Sequence, residues 1–234
     1  MRLELERVTA SYGSTTVLRD LSLVVPAGGV VALLGPNGAG KTTALSTLSG
    51  QITPRSGRVL LDGADVTRRS PQARVRLGLG HVTEGRSIFP GLTVRDNLRM
   101  FAPKGHQDEA MDEAIAAFPR LGERLHQIAG TMSGGEQQML ALSRAYVSNA
   151  QTVLLDEVSL GLAPIVVDAI FEFLARLKEQ GRSLLVVEQY VSKALALADT
   201  VYLLARGRLV FAGEPAEVSG SELFARYMGQ TAGV

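Results

Sequence analysis

The chain has 234 residues, enough for one large domain or for a domain that carries a smaller lobe. Its 24 Lys and Arg residues nearly balance its 23 Asp and Glu residues, and a net charge of +1 argues against a dedicated nucleic-acid-binding protein. The absence of cysteine excludes a disulfide framework, an iron–sulfur site and a cysteine-based zinc site. No apolar stretch approaches the roughly 18 residues that a membrane-spanning helix needs.

The first part of the chain is predicted to form strands. Leu3 and Leu5 alternate with charged residues, and 16–25 is rich in β-branched and aliphatic residues. Val30–Leu34 is a continuous apolar run, typical of a strand buried on both faces, and it leads directly into Gly35. Further elements are expected as a helix over 41–48 and strands over 58–61 and 79–82.

The middle of the chain, from 84 to 131, is rich in helix formers, with its clearest helix predicted over 108–118. We interpret 84–131 as a helical subdomain inserted into a single domain over 1–234. Strand–helix alternation then resumes and predicts an α/β fold with a mostly parallel core sheet. The expected elements are strands over 152–156 and 183–188, helices over 164–180 and 192–198, and a hairpin around Arg206 and Gly207.

The segment Gly-Pro-Asn-Gly-Ala-Gly-Lys-Thr at 35–42 matches the phosphate-binding pattern G-x-x-x-x-G-K-[ST]. Its glycines let successive amides face one anion, and the helix that follows adds its positive end. Lys41 is expected to reach the outer phosphates and the Thr42 hydroxyl to ligate magnesium. An ordinary glycine-rich turn is the alternative, and the preceding strand disfavours it. The predicted nucleotide-binding residues here are Gly35, Pro36, Asn37, Gly38, Ala39, Gly40, Lys41, Thr42 and Thr43.

The apolar strand at 153–155 ends in two carboxylates, Asp156 and Glu157. Ligands of open parallel sheets bind at the carboxyl ends of strands, so Asp156 is placed to hold magnesium through water. Glu157 is placed to polarise an attacking water. A solvated turn would explain the two acids if they stood alone. The chain lacks the Asn-Lys-x-Asp motif that reads guanine, which favours ATP over GTP.

A second glycine-containing motif, Ser-Gly-Gly-Glu-Gln at 133–137, precedes a helical pattern that ends near Val147. Ser133 and Glu136 have the spacing of a capping box. Capping does not need the two glycines, which leave bare amides at a helix N-terminus that can approach a phosphate.

Taken in order, these motifs resemble the ATP-binding subunits of ABC transporters over nearly the whole chain. The resemblance rests on Tyr12, 35–42, 133–137, Asp156-Glu157 and 159–161. It implies a P-loop NTPase with an N-terminal antiparallel β subdomain and an inserted helical subdomain, binding ATP and Mg²⁺.

The resemblance also implies roles for individual residues. Tyr12 would stack on adenine, although an ordinary core or surface aromatic is equally compatible with its sequence context. Ser133 and Gly135 would contact the γ-phosphate bound by the opposite subunit, with Gly134 and Glu136 in the same nucleotide-binding set. The segment 159–161 would carry contacts across the dimer.

A closer resemblance is to the ATPases of branched-chain amino acid importers, the second of their two ATPase types. The segment 83–94 is similar to the one that couples to the permease there, as are 159–164 and 187–189. The alternative for 89–94 is a buried turn that leads into a helix capped by Thr93. Urea and short-chain amide importers look similar, so the solute stays open.

Two residues depart from the pattern of most family members. Glu84 stands where most have a Gln that senses magnesium and the γ-phosphate. A carboxylate can also ligate magnesium but adds negative charge near the phosphates, so Glu84 would either be a weaker sensor or face away. Gln189 stands where most have a His, and it can bond a phosphate oxygen without carrying a proton charge. The predicted catalytic residues are Glu157, Gln189 and Lys41, and the predicted metal residues are Thr42, Glu84 and Asp156. The three histidines, His81, His106 and His126, are interpreted as structural or exposed.

The resemblance implies several partners. These are integral-membrane permease subunits, a second ATPase subunit that is identical or related, and indirectly a periplasmic solute-binding protein, with no nucleic acid. The expected location is the cytoplasmic face of the inner membrane. A soluble ABC-type ATPase and a non-hydrolysing nucleotide-dependent switch are the alternatives. A C-terminal helix is expected over 221–228, with no assigned role.

Overall fold

Two sheets and a set of helices make up the part of the chain that the computed structural model describes, residues 1–83, 85 and 87–218. In chain order the strands are β1 Leu3–Tyr12, β2 Thr15–Val25, β3 Val30–Leu34, β4 Ser56–Leu61, β5 Ala64–Asp65, β6 Leu79–Val82, β7 Thr152–Asp156, β8 Ser183–Val187, β9 Thr200–Ala205 and β10 Arg208–Gly213. The α-helices are α1 Lys41–Ser49, α2 Pro71–Arg76, α3 Val94–Phe101, α4 Gln107–Ala117, α5 Pro119–Gly122, α6 Gly134–Val147, α7 Pro164–Glu179, α8 Val191–Leu197 and α9 Pro215–Val218. Glu84 and the predicted helix over 221–228 lie outside the described residues.

The larger sheet has the strand order β10-β9-β3-β8-β7-β6, and only the edge pair β9–β10 is antiparallel. The smaller sheet is antiparallel and has the order β2-β1-β4-β5. The sequence prediction of an α/β fold with a mostly parallel sheet and an antiparallel N-terminal part is therefore confirmed. So is the hairpin at Arg206 and Gly207.

Strand β3 lies between two hydrophobic cores, and its residues alternate between them. Val30, Ala32 and Leu34 pack with the helices on one face of the large sheet, while Val31 and Leu33 pack with α1 and the antiparallel sheet. This double burial explains why the sequence of β3 is apolar without interruption.

Local signals set the helix ends. The predicted helix over 108–118 ends at Ala117 because Phe118, which precedes Pro119, has left the helical conformation. Helix α1 stops where Gly50 takes a left-handed conformation, with φ of 84°. Sequence analysis missed the short helix α2, although its Ser70 cap and Pro71 are ordinary helix-start signals.

A buried arginine anchors the C-terminus of α1. The Arg74 guanidinium is fully buried and donates to the carbonyl oxygens of Thr47 at 2.7 Å and of Leu48 at 2.5 Å. A cation at this end satisfies carbonyl groups that have no partner within the helix and complements the helix dipole. Helix α1 is therefore held at the end opposite the phosphate loop.

Within the described residues, none of the helices combines the length and apolar character needed to span a bilayer.

The histidine interpretation is also confirmed. His106 and His126 are exposed, whereas His81 on β6 is partly buried and its Nε2 has no hydrogen-bond partner among the described residues. Burial lowers the pKa of the His81 imidazole to about 4. Protonation of His81 is therefore disfavoured in the folded protein, and as the pH is lowered the unfolded chain binds this proton at a higher pH than the folded one does.

This shift predicts a specific pH dependence of stability. The folded-state pKa lies below the unfolded value of about 6.5, so stability from neutral His81 is present above pH 6.5 and is lost as the pH falls toward 4. The substitution His81→Asn should reduce the fall in free energy of unfolding between pH 7 and pH 4 by about 2 to 3 kcal/mol, as measured by urea unfolding at the two pH values. The exposed-site control His126→Asn should leave the loss in place. An equal pH dependence in all three proteins would contradict the assignment.

Candidate functional site

The phosphate loop joins the end of β3 to the start of α1. Gly40 precedes α1 in a left-handed conformation with φ of 108°, and among the described residues no side chain caps the first turn of the helix. A side chain on Gly35 would meet the Leu204 carbonyl oxygen at 2.1 Å, so only glycine fits beside β9. The first-turn amides of α1 are thus left available to an anion, while Asn37, Gly38 and Thr42 are exposed.

Lys41 lies in this loop with its ammonium group turned back onto the chain. It is 8% exposed, and its Nζ donates to the carbonyl oxygens of Gly35 at 2.8 Å and of Pro36 at 3.2 Å. Burial lowers the pKa of Lys41, and the charges of Glu157 and Asp156 oppose this shift. The structure therefore brings the loop lysine and the two predicted acids within electrostatic reach of one another.

Glu157 and Gln189 contact each other directly. The Gln189 Nε2 donates to the Glu157 Oε2 at 2.8 Å, which orients the carboxylate. Glu157 itself has a positive φ of 47°, an uncommon conformation for a residue other than glycine. Asp156, one residue earlier, is buried at the end of β7. The sequence predicts that Gln189 contacts a phosphate oxygen. The structure adds that Gln189 holds the carboxylate of Glu157, the predicted catalytic residue.

Sequence analysis gave Glu188 no role of its own: it assigned the residue to the end of a strand and to the segment 187–189. Strand β8 ends at Val187, and the Glu188 carboxylate is buried against Ser159. A signal for it exists in the sequence, since an acid directly follows five buried strand residues, as Glu157 follows β7. That signal identifies a site only once β7 and β8 are known to be neighbours.

The Ser133 motif forms the predicted capping box at the start of α6. The Ser133 amide and hydroxyl donate to the Glu136 Oε2 at 2.9 and 2.8 Å, and Arg124 forms an ion pair with Glu136 at 2.8 Å. These bonds fix the helix tip but do not join it to the phosphate loop within the described part of the chain. Gly135 has a packing reason as well, because a Cβ there would approach Val166 to 3.0 Å.

The remaining predicted residues occupy different surroundings. Tyr12 ends β1 and is 53% exposed, so its ring is accessible to a ligand. Thr43 is buried in α1, whereas its neighbour Thr42 is exposed.

Comparison with known proteins places this chain in a family. The family described as ABC transporter matches residues 18–159. The chain is 44% identical to the high-affinity branched-chain amino acid transport ATP-binding protein BraG of Pseudomonas aeruginosa over 211 residues, which cover 89% of this chain and 91% of BraG. It is 36% identical to the probable branched-chain amino acid transport ATP-binding protein LivF of Archaeoglobus fulgidus over 222 residues, covering 93% and 94% of the two chains.

A solved structure with a similar fold is described as the ATP-binding subunit of an ABC transporter. It superposes with a TM-score of 0.86 at 25% sequence identity, covering 99% of this chain and 100% of the other. This similarity bears out the P-loop fold predicted from the sequence.

Loss of the loop lysine should weaken binding of a nucleoside triphosphate. Lys41→Ala removes a cation that would otherwise donate charge-assisted hydrogen bonds, which are worth about 1.5–3 kcal/mol, so affinity should fall about 10- to 100-fold. Titration with a fluorescent ATP analogue measures this change. The exposed Lys104→Ala is the control and should bind like the unaltered chain. Unchanged affinity in Lys41→Ala would count against the whole site.

Proposed function

The chain belongs to the ABC transporter family of ATP-binding proteins, and on that premise we propose that it is the ATP-hydrolysing subunit of an importer. The solute would be a branched-chain amino acid or a similar small polar molecule, as the names of BraG and LivF suggest. One observation carries the proposal: the phosphate loop and the Glu157–Gln189 pair follow the carboxyl ends of the neighbouring parallel strands β3, β7 and β8.

Binding of ATP would use the phosphate loop. Lys41 would exchange its two carbonyl partners, those of Gly35 and Pro36, for phosphate oxygens, and the amides at the start of α1 would face the same group. Tyr12 would stack on adenine, which its exposure at the end of β1 supports.

A magnesium ion fits the donors of this site. Hydroxyl and carboxylate oxygens are the groups that Mg²⁺ prefers, and Thr42 would ligate the ion directly while Asp156 would hold it through water. Glu84, which lies outside the described residues, is a further proposed contact. When bound, the ion would neutralise charge on the phosphates.

Hydrolysis would depend on Glu157. Its carboxylate would orient and polarise the attacking water, and Gln189 would hold the carboxylate through the 2.8 Å hydrogen bond. Gln189 cannot carry a proton charge, so its contribution is orientation.

The site would be completed by a second ATPase subunit, identical or related. Ser133, Gly134, Gly135 and Glu136 would present the tip of α6 to a nucleotide bound by that partner. The tip is suited to this because its capping box keeps it in one conformation before any partner arrives.

The segment 83–94 is proposed to face the permease. Its described part is not the buried turn considered above, since Phe89 and Leu92 are 41% and 36% exposed. The turn is nevertheless held firmly, because the buried Asn97 side chain bonds the Phe89 amide and carbonyl oxygen at 2.8 and 3.0 Å. Thr93 caps α3, as expected. An ordered turn with exposed apolar side chains suits protein docking.

Through that permease the subunit would sit at the cytoplasmic face of the inner membrane. A periplasmic solute-binding protein would act with it indirectly, and no nucleic acid is expected. We also propose the domain organisation predicted from the sequence, which is one domain over 1–234 with a helical subdomain inserted at 84–131.

The role of Glu157 predicts the behaviour of one substitution. Glu157→Gln should still bind ATP, because the change leaves the phosphate loop intact, but it should hydrolyse ATP at least about 100-fold more slowly. It should also accumulate as a dimer with ATP, detectable by size-exclusion chromatography with light scattering. Glu179→Gln, an exposed change on α7, should behave like the unaltered chain. Normal turnover by Glu157→Gln would remove Glu157 from this role.

The transport role has its own test, which is uptake by cells that lack the gene. Uptake of radiolabelled leucine, isoleucine and valine should fall and should be restored by the unaltered gene but not by Glu157→Gln. Labelled urea, supplied to the same cells, distinguishes the related importers. Unchanged branched-chain uptake together with lost urea uptake would reassign the solute.

A further inference from the structure

Hydrogen bonds link the segments that follow β7 and β8. The Glu157 amide donates to the Val187 carbonyl oxygen at 2.9 Å, and Gln189 donates to the Glu157 carboxylate at 2.8 Å. Two residues beyond Glu157, the Ser159 amide donates to the Glu188 Oε1 at 3.0 Å, and the Ser159 hydroxyl donates to the other oxygen of the same carboxylate. Glu157 and Ser159 are thus tied to one stretch of chain, 187–189, with which Asp156 also pairs as the last residue of β7.

Glu188 is an unusual residue for the end of a buried strand. It is 3% exposed, and the strand before it contains five buried residues. No ion pair among the described residues compensates its charge, and its carboxylate accepts only from Ser159 and from the Gln189 amide. Burial raises the pKa of Glu188, and these hydrogen bonds oppose that rise.

Packing alone does not account for a carboxylate in this position. A buried ionisable group without a cationic partner is costly, and an apolar side chain of similar volume would fill the space at lower free energy. What the carboxylate does, and an apolar side chain cannot do, is accept both hydrogen bonds of Ser159.

Ser159 is the buried first residue of an exposed loop that continues through Leu160 and Gly161. Its side chain is fully buried, whereas Leu160 is 44% exposed and a Cβ on Gly161 would meet nothing within 4 Å. The tip of the loop is therefore accessible, while Ser159 at its start is held close to Glu157 by its hydrogen bonds to Glu188. Since Glu157 has the uncommon φ of 47°, its conformation depends on the contacts that hold the chain on both sides of it.

We propose that Glu188 is a positioning residue for ATP hydrolysis, which acts by holding Ser159 and thereby the backbone that carries Glu157. It acts through Ser159 and not on the nucleotide. The inference rests on the proposed function, because it assumes that Glu157 serves hydrolysis.

The first test is Glu188→Gln in the purified full chain. The substitution keeps size and shape, but it leaves one acceptor oxygen for the amides of Ser159 and Gln189 and the Ser159 hydroxyl. Even if the hydroxyl turns to accept from the new Nε2, one of the two amides then faces an N–H donor, so the arrangement that holds Ser159 is disturbed. A small displacement of a catalytic group is costly, so kcat for ATP should fall about 10- to 100-fold. KM and the Kd for ATP should stay within about twofold, because the phosphate loop is untouched. Glu179→Gln, an exposed carboxylate on α7, is the control and should match the unaltered chain.

A substitution at Ser159 tests the same contact from the other side. Ser159→Ala removes the hydroxyl but keeps the backbone amide, so kcat should fall while KM stays close to that of the unaltered chain. Combining Ser159→Ala with Glu188→Gln should reduce kcat no further than Glu188→Gln alone, because both remove one contact.

The outcomes separate this inference from the proposed function. Normal kcat in Glu188→Gln, or losses that multiply in the double variant, would overturn the positioning role while leaving Glu157 in place. So would a fall in ATP affinity that accounts for the whole effect. No hydrolysis by the unaltered chain, or normal hydrolysis by Glu157→Gln, would overturn the proposed function and this inference with it.

Discussion

The parallel alignment of β3, β8 and β7 is the constraint on which the site depends. These strands are neighbours in the sheet, so their carboxyl ends meet at one edge although they are far apart in sequence. The phosphate loop leaves β3, Glu157 follows β7, and Glu188 and Gln189 follow β8. The double burial of β3 between two cores holds this edge in place. A site assembled in this way requires packing on both faces of the sheet before its polar groups can meet.

How much the sequence could predict depended on how local each feature is. The phosphate loop and the α6 capping box are complete within a few consecutive residues, so their backbone conformations follow from residue type and spacing. The bond between Gln189 and Glu157, by contrast, joins residues 32 apart and requires knowledge of which strands are adjacent. For the same reason, the sequence alone indicates neither the bond between Ser159 and Glu188 nor the contact by which Arg74 caps α1.

The capping role and the phosphate-contact role predicted for the Ser133 motif are compatible with each other. The capping box satisfies the first turn of α6 from within the chain, which accounts for Ser133 and Glu136 without any ligand. A Cβ on Gly135 would approach Val166 on α7 to 3.0 Å, which favours glycine there, and the same missing side chain leaves the backbone bare. A glycine that packing favours, such as Gly135, can therefore also leave the amides of a helix N-terminus accessible to a partner, and neither role excludes the other.

The charges at the sheet edge indicate the form in which a nucleotide would bind. Asp156, Glu157 and Glu188 bring three carboxyl groups to the ends of two adjacent strands, and Lys41 is the cation that the structure places within reach of the first two. Adding a triphosphate to this edge would add further negative charge in a partly buried place, where like charges repel strongly. A divalent cation entering with the phosphates would offset that repulsion and would use the oxygen donors already present at Thr42 and Asp156. The acidic edge and the basic loop therefore fit a metal–nucleotide complex better than they fit the nucleotide alone.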